Sequence, residues 1–405
     1  LPIYPVYRDD VVGLTTPQLY FSPSLSGYAV VNTSVAEQGC DGDDGAYSGD
    51  AGVQLSGVMR RVAHALKLWD YNLLGSSAID GDSRLLSVRS VEERARKVAP
   101  FLVYDADPYP VAVDGRVVWV IDAYTTSDRY PYGEFGDTSQ LDAGAGLAIP
   151  FNYVRNSVKV VVDSYDGTVT LYAVDETDPV LRVWESVFPD MFTVQTQMPE
   201  TLREHLRYPE ELFRVQTAAY SKYRLDATEF FDREGAWSVG LAPPNTRGAV
   251  STAAAGDGTT TDALVSDFAV EADAPRFEPY YVMFHGDGTD SSEFALFRPF
   301  QPFSASNERK ELAGYMLATR GPDDGNGALV VYEVSTTQDG PFTVGAQMFA
   351  DPDVSADITA FNQQRSVVSF GDLQMVPVGG GVLWTILMYV ESEQTRSEEH
   401  TSELQ

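Results

Sequence analysis

Two Asp-Gly pairs, each set between apolar runs, constrain the fold more strongly than any other feature of this sequence. The first is in "PVAVDGRVVWVIDAY" and the second in "VKVVVDSYDGTVTLYAV". An Asp-Gly pair favours the type I′ turn of a tight β-hairpin, because both central residues of that turn need positive φ. We therefore predict antiparallel hairpins over residues 111–123 and 159–174. Asp114 and Asp166 are then turn residues and not catalytic candidates.

Helix-start signals lie before and after these hairpins. Ser90 is followed three positions later by Glu93, which predicts a capped helix that stops at Pro100. Asp178 precedes a proline, the arrangement typical of an N-cap followed by the first helical residue. Two further helices are predicted to begin at Pro199 and Pro209.

Another helix is predicted from apolar residues that recur at spacings of three and four. This apolar stripe consists of Leu55, Val58, Met59, Val62, Leu66 and Trp69. Arg60, His64 and Lys67 share another face of the same helix. Two interpretations of these basic residues remain open. They either meet carboxylates from elsewhere in the fold or bind an anionic ligand.

The second half of the chain differs in character from the first. The stretch "APPNTRGAVSTAAAGDGTTTDAL" is poor in bulky apolar residues, and strand-like runs follow it. We predict an α+β fold of mixed helices and antiparallel hairpins, with a mostly β C-terminal half. The predicted division is an α+β domain over 1–240, a linker or insertion over 241–272 and a mostly β domain over 273–395. Residues 396–405, "RSEEHTSELQ", match what one reading frame of a common sequencing adapter encodes, so a non-native tail is predicted.

Charge and composition exclude several classes of protein. The 405-residue chain carries a formal net charge of -31, which argues against binding to a nucleic-acid backbone. Its one cysteine, Cys40, excludes an internal disulfide and a cysteine-rich metal site. The four histidines have no metal-ligand spacing, and no phosphate-binding loop or nucleophile elbow occurs. No apolar run reaches the roughly 18 residues that span a bilayer. No cofactor is predicted, apart from the calcium considered next.

An acidic, glycine-rich segment, "GCDGDDGAYSGDAG", offers the candidate metal ligands Asp41, Asp43, Asp44 and Asp50. Carboxylate oxygens are the ligands that Ca²⁺ prefers, but the spacing is not that of an EF-hand. A loose calcium site and a solvated loop are both compatible with this pattern. The first of these would make the chain a calcium-stabilised adhesion module.

Carboxylates beside the first hairpin provide the candidate catalytic residues Asp105, Asp107 and Asp122. Two carboxylates flanking a sugar bond suffice for glycoside hydrolysis, and Tyr109, Tyr130 and Tyr132 could form aromatic walls. Against this hypothesis, Asp107 precedes a proline and suits a turn, and the tyrosines suit packing. We expect that these aspartates do not form a catalytic pair.

Several long strings carry a family resemblance. They include "DADPYPVAVDGRVVWVIDAYTTSDRYPY", "FNYVRNSVKVVVDSYDGTVTLYAVDETDPVLRVWESVFP", "MPETLREHLRYPEELFRVQTAAY", "PFQPFSASN" and "MVPVGGGVL". Together they make the chain similar to uncharacterised protein family 0182, bacterial membrane proteins best known from actinobacteria. The chain departs from the family pattern at Arg224 and Ala227, where the family has histidine and proline.

The resemblance implies a location and a topology but no reaction. Members of the family have several membrane-spanning helices followed by a large domain outside the cytoplasm, and this chain resembles the second part only. It would be attached to the cell membrane through N-terminal helices that this sequence lacks. The leading hypothesis is therefore a non-enzymatic envelope module that binds or scaffolds an envelope protein or glycan. The alternatives are the carboxylate-based hydrolase and the calcium-stabilised adhesion module.

Overall fold

The structure is a computed structural model, and it describes most of the chain in ten segments. They are residues 13–35, 37–38, 44–232, 235–244, 275–285, 292–304, 306–319, 327–362, 366–378 and 381–392. These residues form two compact units. The first holds the described residues of Leu1–Phe135 and Gly144–Pro209, and the second those of Gly136–Ala143, Glu210–Asp323 and Gly327–Gln405. The predicted domain boundaries themselves stay predictions.

A six-stranded sheet is the centre of the first unit. Its strands are β6 (Val103–Tyr104), β7 (Tyr109–Val113), β8 (Arg116–Ser127), β9 (Tyr153–Asp163), β10 (Val169–Ala173) and β11 (Phe192–Val194). The order is β11-β10-β9-β8-β6, with β7 also paired to β8. All of these pairs are antiparallel except β10 with β11.

Both faces of this sheet are covered, which explains why its central strands are apolar at consecutive positions. One face carries Trp119, Ile121 and Val160, and Ala95 and Leu181 from two helices pack into the same core. The other face packs in a second core, whose buried members include Val120, Val161, Tyr172, Leu202 and Leu206. A charged residue in the middle of β8 or β9 is therefore enclosed, as Asp122 and Lys159 are.

Both predicted hairpins are confirmed, although their turns differ. The first turns at Asp114 and Gly115, whose φ values of 50° and 77° are those of a type I′ turn. In the second, Gly167 has φ of 70° but Asp166 does not have positive φ. There the Asp163 carboxylate accepts hydrogen bonds from the backbone N–H groups of Tyr165 and Asp166. The second turn is thus longer than the two-residue turn that the Asp-Gly pair predicted.

The other elements of the first unit include the predicted helices. They are β1 (Ala29–Val31), β2 (Glu37–Gln38), β3 (Asp44–Gly45), β4 (Val53–Gln54), α1 (Val58–Leu68), α2 (Asn72–Gly75), β5 (Arg84–Leu86), α3 (Val91–Val98), α4 (Pro179–Val187), a 3₁₀ turn (Gln195–Gln197) and α5 (Glu200–Glu204). Strands β1, β5 and β4 form a small antiparallel sheet, and β2 pairs with β3. The predicted caps are confirmed, since the Ser90 hydroxyl accepts from the Glu93 N–H and the Asp178 carboxylate from the Val180 N–H.

Most of the predicted apolar stripe faces away from the core, and its buried member, Leu55, precedes α1. Val58, Met59, Leu66 and Trp69 are exposed, by 74%, 81%, 56% and 79% respectively. The helix instead packs through Ala65 and Leu68, which join a small core with Leu55, Leu73 and Leu85. Periodicity located the helix correctly. It could not show which arc of the helix meets the protein.

The second unit follows the predicted change toward β structure. Its elements are α6 (Glu210–Tyr223), α7 (Ala227–Asp232), β12 (Trp237–Val239), β13 (Tyr280–His285), β14 (Ser292–Pro302), β15 (Gly314–Thr319), β16 (Ala328–Glu333), α8 (Pro341–Ala350), α9 (Pro352–Asn362), β17 (Ser366–Phe370), β18 (Gln374–Val378), β19 (Gly381–Thr385) and β20 (Met388–Ser392). Strands β12-β14-β15-β16, with β13 on β14, form a five-stranded antiparallel sheet. Two-stranded ladders join β17 to β20 and β18 to β19.

The α+β fold class is therefore confirmed. Of the predicted linker, the described residues 241–244 include the buried Leu241 and Ala242. The rest of the linker and the predicted tail over 396–405 lie outside the described residues. Among the helices that the structure describes, none is long and apolar enough to cross a bilayer.

Candidate functional site

A β-bulge organises the polar side chains of the six-stranded sheet. Ala123 pairs with Val158, but the next pair is Thr125 with Arg155, so Asn156 and Ser157 of β9 lie opposite Tyr124 alone. An extra residue in one strand reverses which face the following side chains occupy. Polar side chains consequently reach both faces of the sheet at this point. Bulges of this kind often occur beside functional sites.

A buried ion pair lies on one side of the bulge. Asp122 on β8 and Lys159 on β9 are directly opposite each other in the ladder, and the ammonium group contacts the carboxylate. Their side chains are only 4% and 0% exposed. The Asn156 amide also donates to the Asp122 carboxylate at 2.9 Å, and Lys159 donates to the Arg207 carbonyl at 3.1 Å. These bonds offset part of the large free-energy cost of removing two charges from water.

Asp105 lies next to this pair, where the edge of the sheet is interrupted between β6 and β7. Its N–H donates to the Asp122 carbonyl at 2.9 Å, which continues the ladder for one residue. Its buried carboxylate accepts from the Tyr124 hydroxyl at 2.5 Å and from the Asp107 N–H at 3.0 Å. The second of these bonds makes Asp105 the first residue of an Asx turn that leads into Pro108.

Asp107 is exposed to solvent, whereas Asp105 and Asp122 are buried. The protein atoms packed around its carboxyl partly desolvate it, which raises its pKa, and the negative charge of Asp122 acts in the same direction. The Arg207 guanidinium opposes this rise. That guanidinium lies 4.4 Å from the ring centroid of the buried Tyr109, a cation–π arrangement. Burial, followed by the charge of Asp122, raises the pKa of Tyr109 well above its usual value.

The structure thus brings the three predicted aspartates into one region but gives each a different environment. Asp105 and Asp122 are enclosed and hydrogen-bonded to neighbouring side chains. A general acid or nucleophile must reach its substrate, directly or through one water molecule. Only Asp107 is exposed. The statement that no two of them form a catalytic pair stays a prediction.

A second polar centre lies on the other side of the bulge, at the start of α4. The Asp178 carboxylate accepts from the Thr125 and Ser157 hydroxyls at 2.5 Å each and from the Tyr153 hydroxyl at 2.6 Å. It also accepts from the Val180 N–H at 2.9 Å. Burial acts to raise the pKa of Asp178, but the hydrogen bonds outweigh it and hold that pKa below its usual value. The sequence predicted the N-cap and did not predict the three hydroxyl partners.

The aromatic loop, residues 128–135, follows β8 and is the exposed part of this region. Tyr130 and Phe135 are more than half exposed, and Tyr132 is fully exposed. The backbone of Tyr132 has φ of 58°, a left-handed conformation that is costly for a bulky residue. Such strain persists only where the surrounding structure imposes it.

Asn152 holds the residues on both sides of Tyr132. Its amide accepts from the Tyr130 N–H at 2.8 Å, donates to the Tyr130 carbonyl at 2.8 Å and contacts the Gly133 carbonyl at 3.4 Å. The Tyr130 ring stacks on Tyr153, with ring centroids 5.8 Å apart and planes inclined by 21°. The loop is therefore fixed at its base while its aromatic side chains reach solvent.

Two other predicted sites have different outcomes. Asp41, Asp43 and the side chain of Asp44 lie outside the described residues, so the calcium hypothesis stays a prediction. Within the described segments, no cluster of three or more His, Cys, Asp or Glu residues could hold a metal ion. The ion pairs of the described residues involve none of Arg60, His64 and Lys67, so the structure gives no support for carboxylate partners of this basic face.

Comparison with known proteins identifies the family. The model of an uncharacterised protein family, UPF0182, matches residues 3–361. The chain belongs to UPF0182. A UPF0182 protein of Methanospirillum hungatei is 37% identical over 390 residues, covering 95% of this chain and 39% of the relative. UPF0182 proteins of Desulforamulus reducens and Cupriavidus necator are 33% and 36% identical over 96% of the chain, which is 38% and 40% of their own length.

The UPF0182 assignment agrees with the resemblance found in the sequence. The chain spans about two fifths of the length of these curated relatives. No solved structure matches it. The names of these relatives state no activity.

Proposed function

We propose that this chain is the extracytoplasmic part of a multi-pass membrane protein, and that it binds a protein of the cell envelope without catalysing a reaction. The observation that carries the binding proposal is the fully exposed Tyr132, held in a left-handed conformation within the aromatic loop. The membrane location is supported by the resemblance to a family whose members place this part after several membrane-spanning helices.

The composition of the aromatic loop favours a protein partner. Tyrosine and arginine are enriched among the residues that dominate protein–protein binding energies, and the loop presents Tyr130, Tyr132 and Arg129. Tyrosine provides a large contact area at low cost in side-chain entropy. Because Asn152 already fixes the base of the loop, binding would lose little backbone freedom there.

The hydrolase hypothesis has less support from the geometry. Asp122 is held against Lys159, and Asp105 is held by Tyr124, with both carboxylates buried. These bonds hold both enclosed acids within the sheet, and Asp107 alone of the three aspartates is exposed.

A crosslinking experiment tests the binding proposal. A photoreactive phenylalanine analogue at position 132 of the intact gene, irradiated in cells, is expected to give one discrete protein adduct. The same analogue at Val183, which is 59% exposed on α4, is the matched control and should not give that adduct. A purified partner should then bind Tyr132→Asn about 30-fold more weakly, which corresponds to roughly 2 kcal/mol.

Asparagine is the informative replacement at this position because it tolerates left-handed φ. The variant removes the ring and keeps the backbone, so its thermal midpoint should match that of the wild type. Asn152→Ala should weaken binding with all three aromatic rings still present. Adducts with glycan instead of protein, or the absence of any adduct specific to the aromatic loop, would contradict the proposal.

The membrane topology is tested separately. A reporter enzyme that folds only after export, inserted near Ser251 in the intact gene, should be active, whereas a reporter that works only in the cytoplasm should be inactive at the same position. Activity of the cytoplasmic reporter there would overturn the proposed location. It would leave the binding measurement with purified partner unaffected.

A further inference from the structure

The exposed face of α1 combines apolar and basic side chains. Val58, Met59, Val62 and Leu66 occupy one arc of the helix, and Trp69 follows at its C-terminal end. Four of these five residues are more than half exposed. Single exposed apolar residues are ordinary, but a contiguous exposed stripe marks an interaction surface.

The charge of α1 is opposite in sign to that of the whole chain. The chain has a formal net charge of -31, yet α1 has three permanently basic residues, Arg60, Arg61 and Lys67, and none that is acidic. Arg61 is committed to the fold, since its guanidinium donates to the Leu55 and Asp80 carbonyls at 3.0 and 2.8 Å. Arg60 and Lys67 are exposed together on one side of the apolar arc, and Arg60 also contacts the Gln54 carbonyl at 3.5 Å.

One negative charge follows α1 directly. Asp70 is the first acidic residue after the helix, and its carboxylate accepts from the Tyr28 hydroxyl and from the Asn72 N–H. Trp69 itself has φ of 54° and is 79% exposed, so a bulky aromatic residue is held in a left-handed conformation at the helix end. A left-handed residue at a helix C-terminus is usually glycine. A functional requirement for an exposed indole would explain tryptophan there.

We propose that α1 lies in the surface of a bilayer containing anionic phospholipid. Its apolar arc and Trp69 would enter the boundary between headgroups and acyl chains, while Arg60 and Lys67 contact the phosphates. A helix with one apolar face, a basic flank and an interfacial tryptophan is the arrangement that binds parallel to a membrane surface. In a two-fold dimer through α1 the basic residues of both copies would meet, so the charges of α1 favour anionic lipid over a second copy packed through the same helix.

Vesicle flotation of the full chain tests this proposal directly. The vesicles are equimolar phosphatidylglycerol and phosphatidylcholine, compared with phosphatidylcholine alone. At an ionic strength of about 0.15 M the Debye length is about 8 Å, so distant acidic groups are screened while contacts at the helix persist. We expect the chain to float with the anionic vesicles and to remain in solution with the zwitterionic ones.

Two variants separate the apolar and electrostatic contributions. Met59→Glu/Leu66→Glu should abolish flotation. Arg60→Gln/Lys67→Gln should weaken binding about 30-fold, because each basic residue near an anionic surface contributes about 1 kcal/mol. Val183→Glu, at an exposed apolar position on α4, is the control and should bind as the wild type does. These side chains are exposed, so circular dichroism should show all variants folded.

A spectroscopic measurement locates the contact. Brominated phosphatidylcholine included in the anionic vesicles should quench tryptophan fluorescence of the wild type, and Trp69→Phe should lose that quenching while still floating. Equal binding to both vesicle types, or flotation unaffected by the Met59 and Leu66 changes, would overturn the proposal. So would a variant that dissociates a dimer in sedimentation without altering flotation, because the surface would then be covered by a second copy. None of these outcomes depends on the partner of the aromatic loop.

Discussion

Lys159→Ala is expected to destabilise the six-stranded sheet by about 3–5 kcal/mol, the cost of leaving a buried charge without its partner. The Asp122 carboxylate, 4% exposed, would retain the Asn156 amide but lose its ammonium partner. Hydrogen exchange of the amides in β8 and β9 measures the effect, because it reports the free energy of opening of that sheet separately from the second unit.

Two matched variants test the cause of this loss. In Asp122→Leu/Lys159→Met neither charge remains, and most of the stability should return, since apolar replacement of a buried pair is often neutral. Lys97→Ala removes the lysine of an exposed pair with Glu93 on α3, and it should change stability by less than about 1 kcal/mol. If Lys159→Ala had as small an effect as Lys97→Ala, the burial of the pair would be disproved.

Asp178→Ala should cost at least about 3 kcal/mol. Loss of a helix N-cap alone typically costs about 1 kcal/mol. The buried hydroxyls of Thr125 and Ser157 would also lose their acceptor, and each hydroxyl left without a partner costs about 1–3 kcal/mol. Asp178→Asn keeps an acceptor for the Val180 N–H and should cost less. Amide exchange in α4 and at the ends of β8 and β9 is the measurement.

The same carboxylate should make stability depend on pH in acid. The hydrogen bonds lower the folded-state pKa of Asp178. The ionised carboxylate therefore contributes its full stabilisation of the fold above the unfolded-state pKa of about 3.9. The contribution decreases as pH falls from there through the folded-state pKa. Wild-type protein should therefore lose more stability than Asp178→Asn between about pH 5 and pH 2. Parallel curves for the two proteins would show that Asp178 is not held ionised by these bonds.

Local chemistry in the sequence was sufficient to predict individual elements. The Asp-Gly pair at Asp114 needs only its own backbone to turn, and Ser90 and Asp178 cap the helices that follow them directly. In each case the interacting groups lie within four residues of one another, so no knowledge of the fold is required. The turn at Asp166 shows the limit, because the neighbouring Asp163 captures the backbone N–H groups and lengthens it.

Which surfaces are exposed was decided by the tertiary structure. The apolar stripe of α1 has the same periodicity whether it faces a core or a membrane, and only the packing of Ala65 and Leu68 shows that it faces outward. The candidate aspartates were similarly indistinguishable in the sequence. A lysine within a run of valines, Lys159, indicates a buried charge that needs an acidic partner.

The sequence by itself determined the family, the α+β class, the hairpins and the capped helices, because these depend on residue strings and on contacts between near neighbours. The tertiary structure decided the roles of the side chains. It enclosed Asp105 and Asp122, gave Asp178 three hydroxyl partners across a bulge, and left Tyr132 and Trp69 exposed. Those outcomes depend on register and packing between segments far apart in the chain, such as β8 and β9, where a shift of one residue moves a side chain to the opposite face.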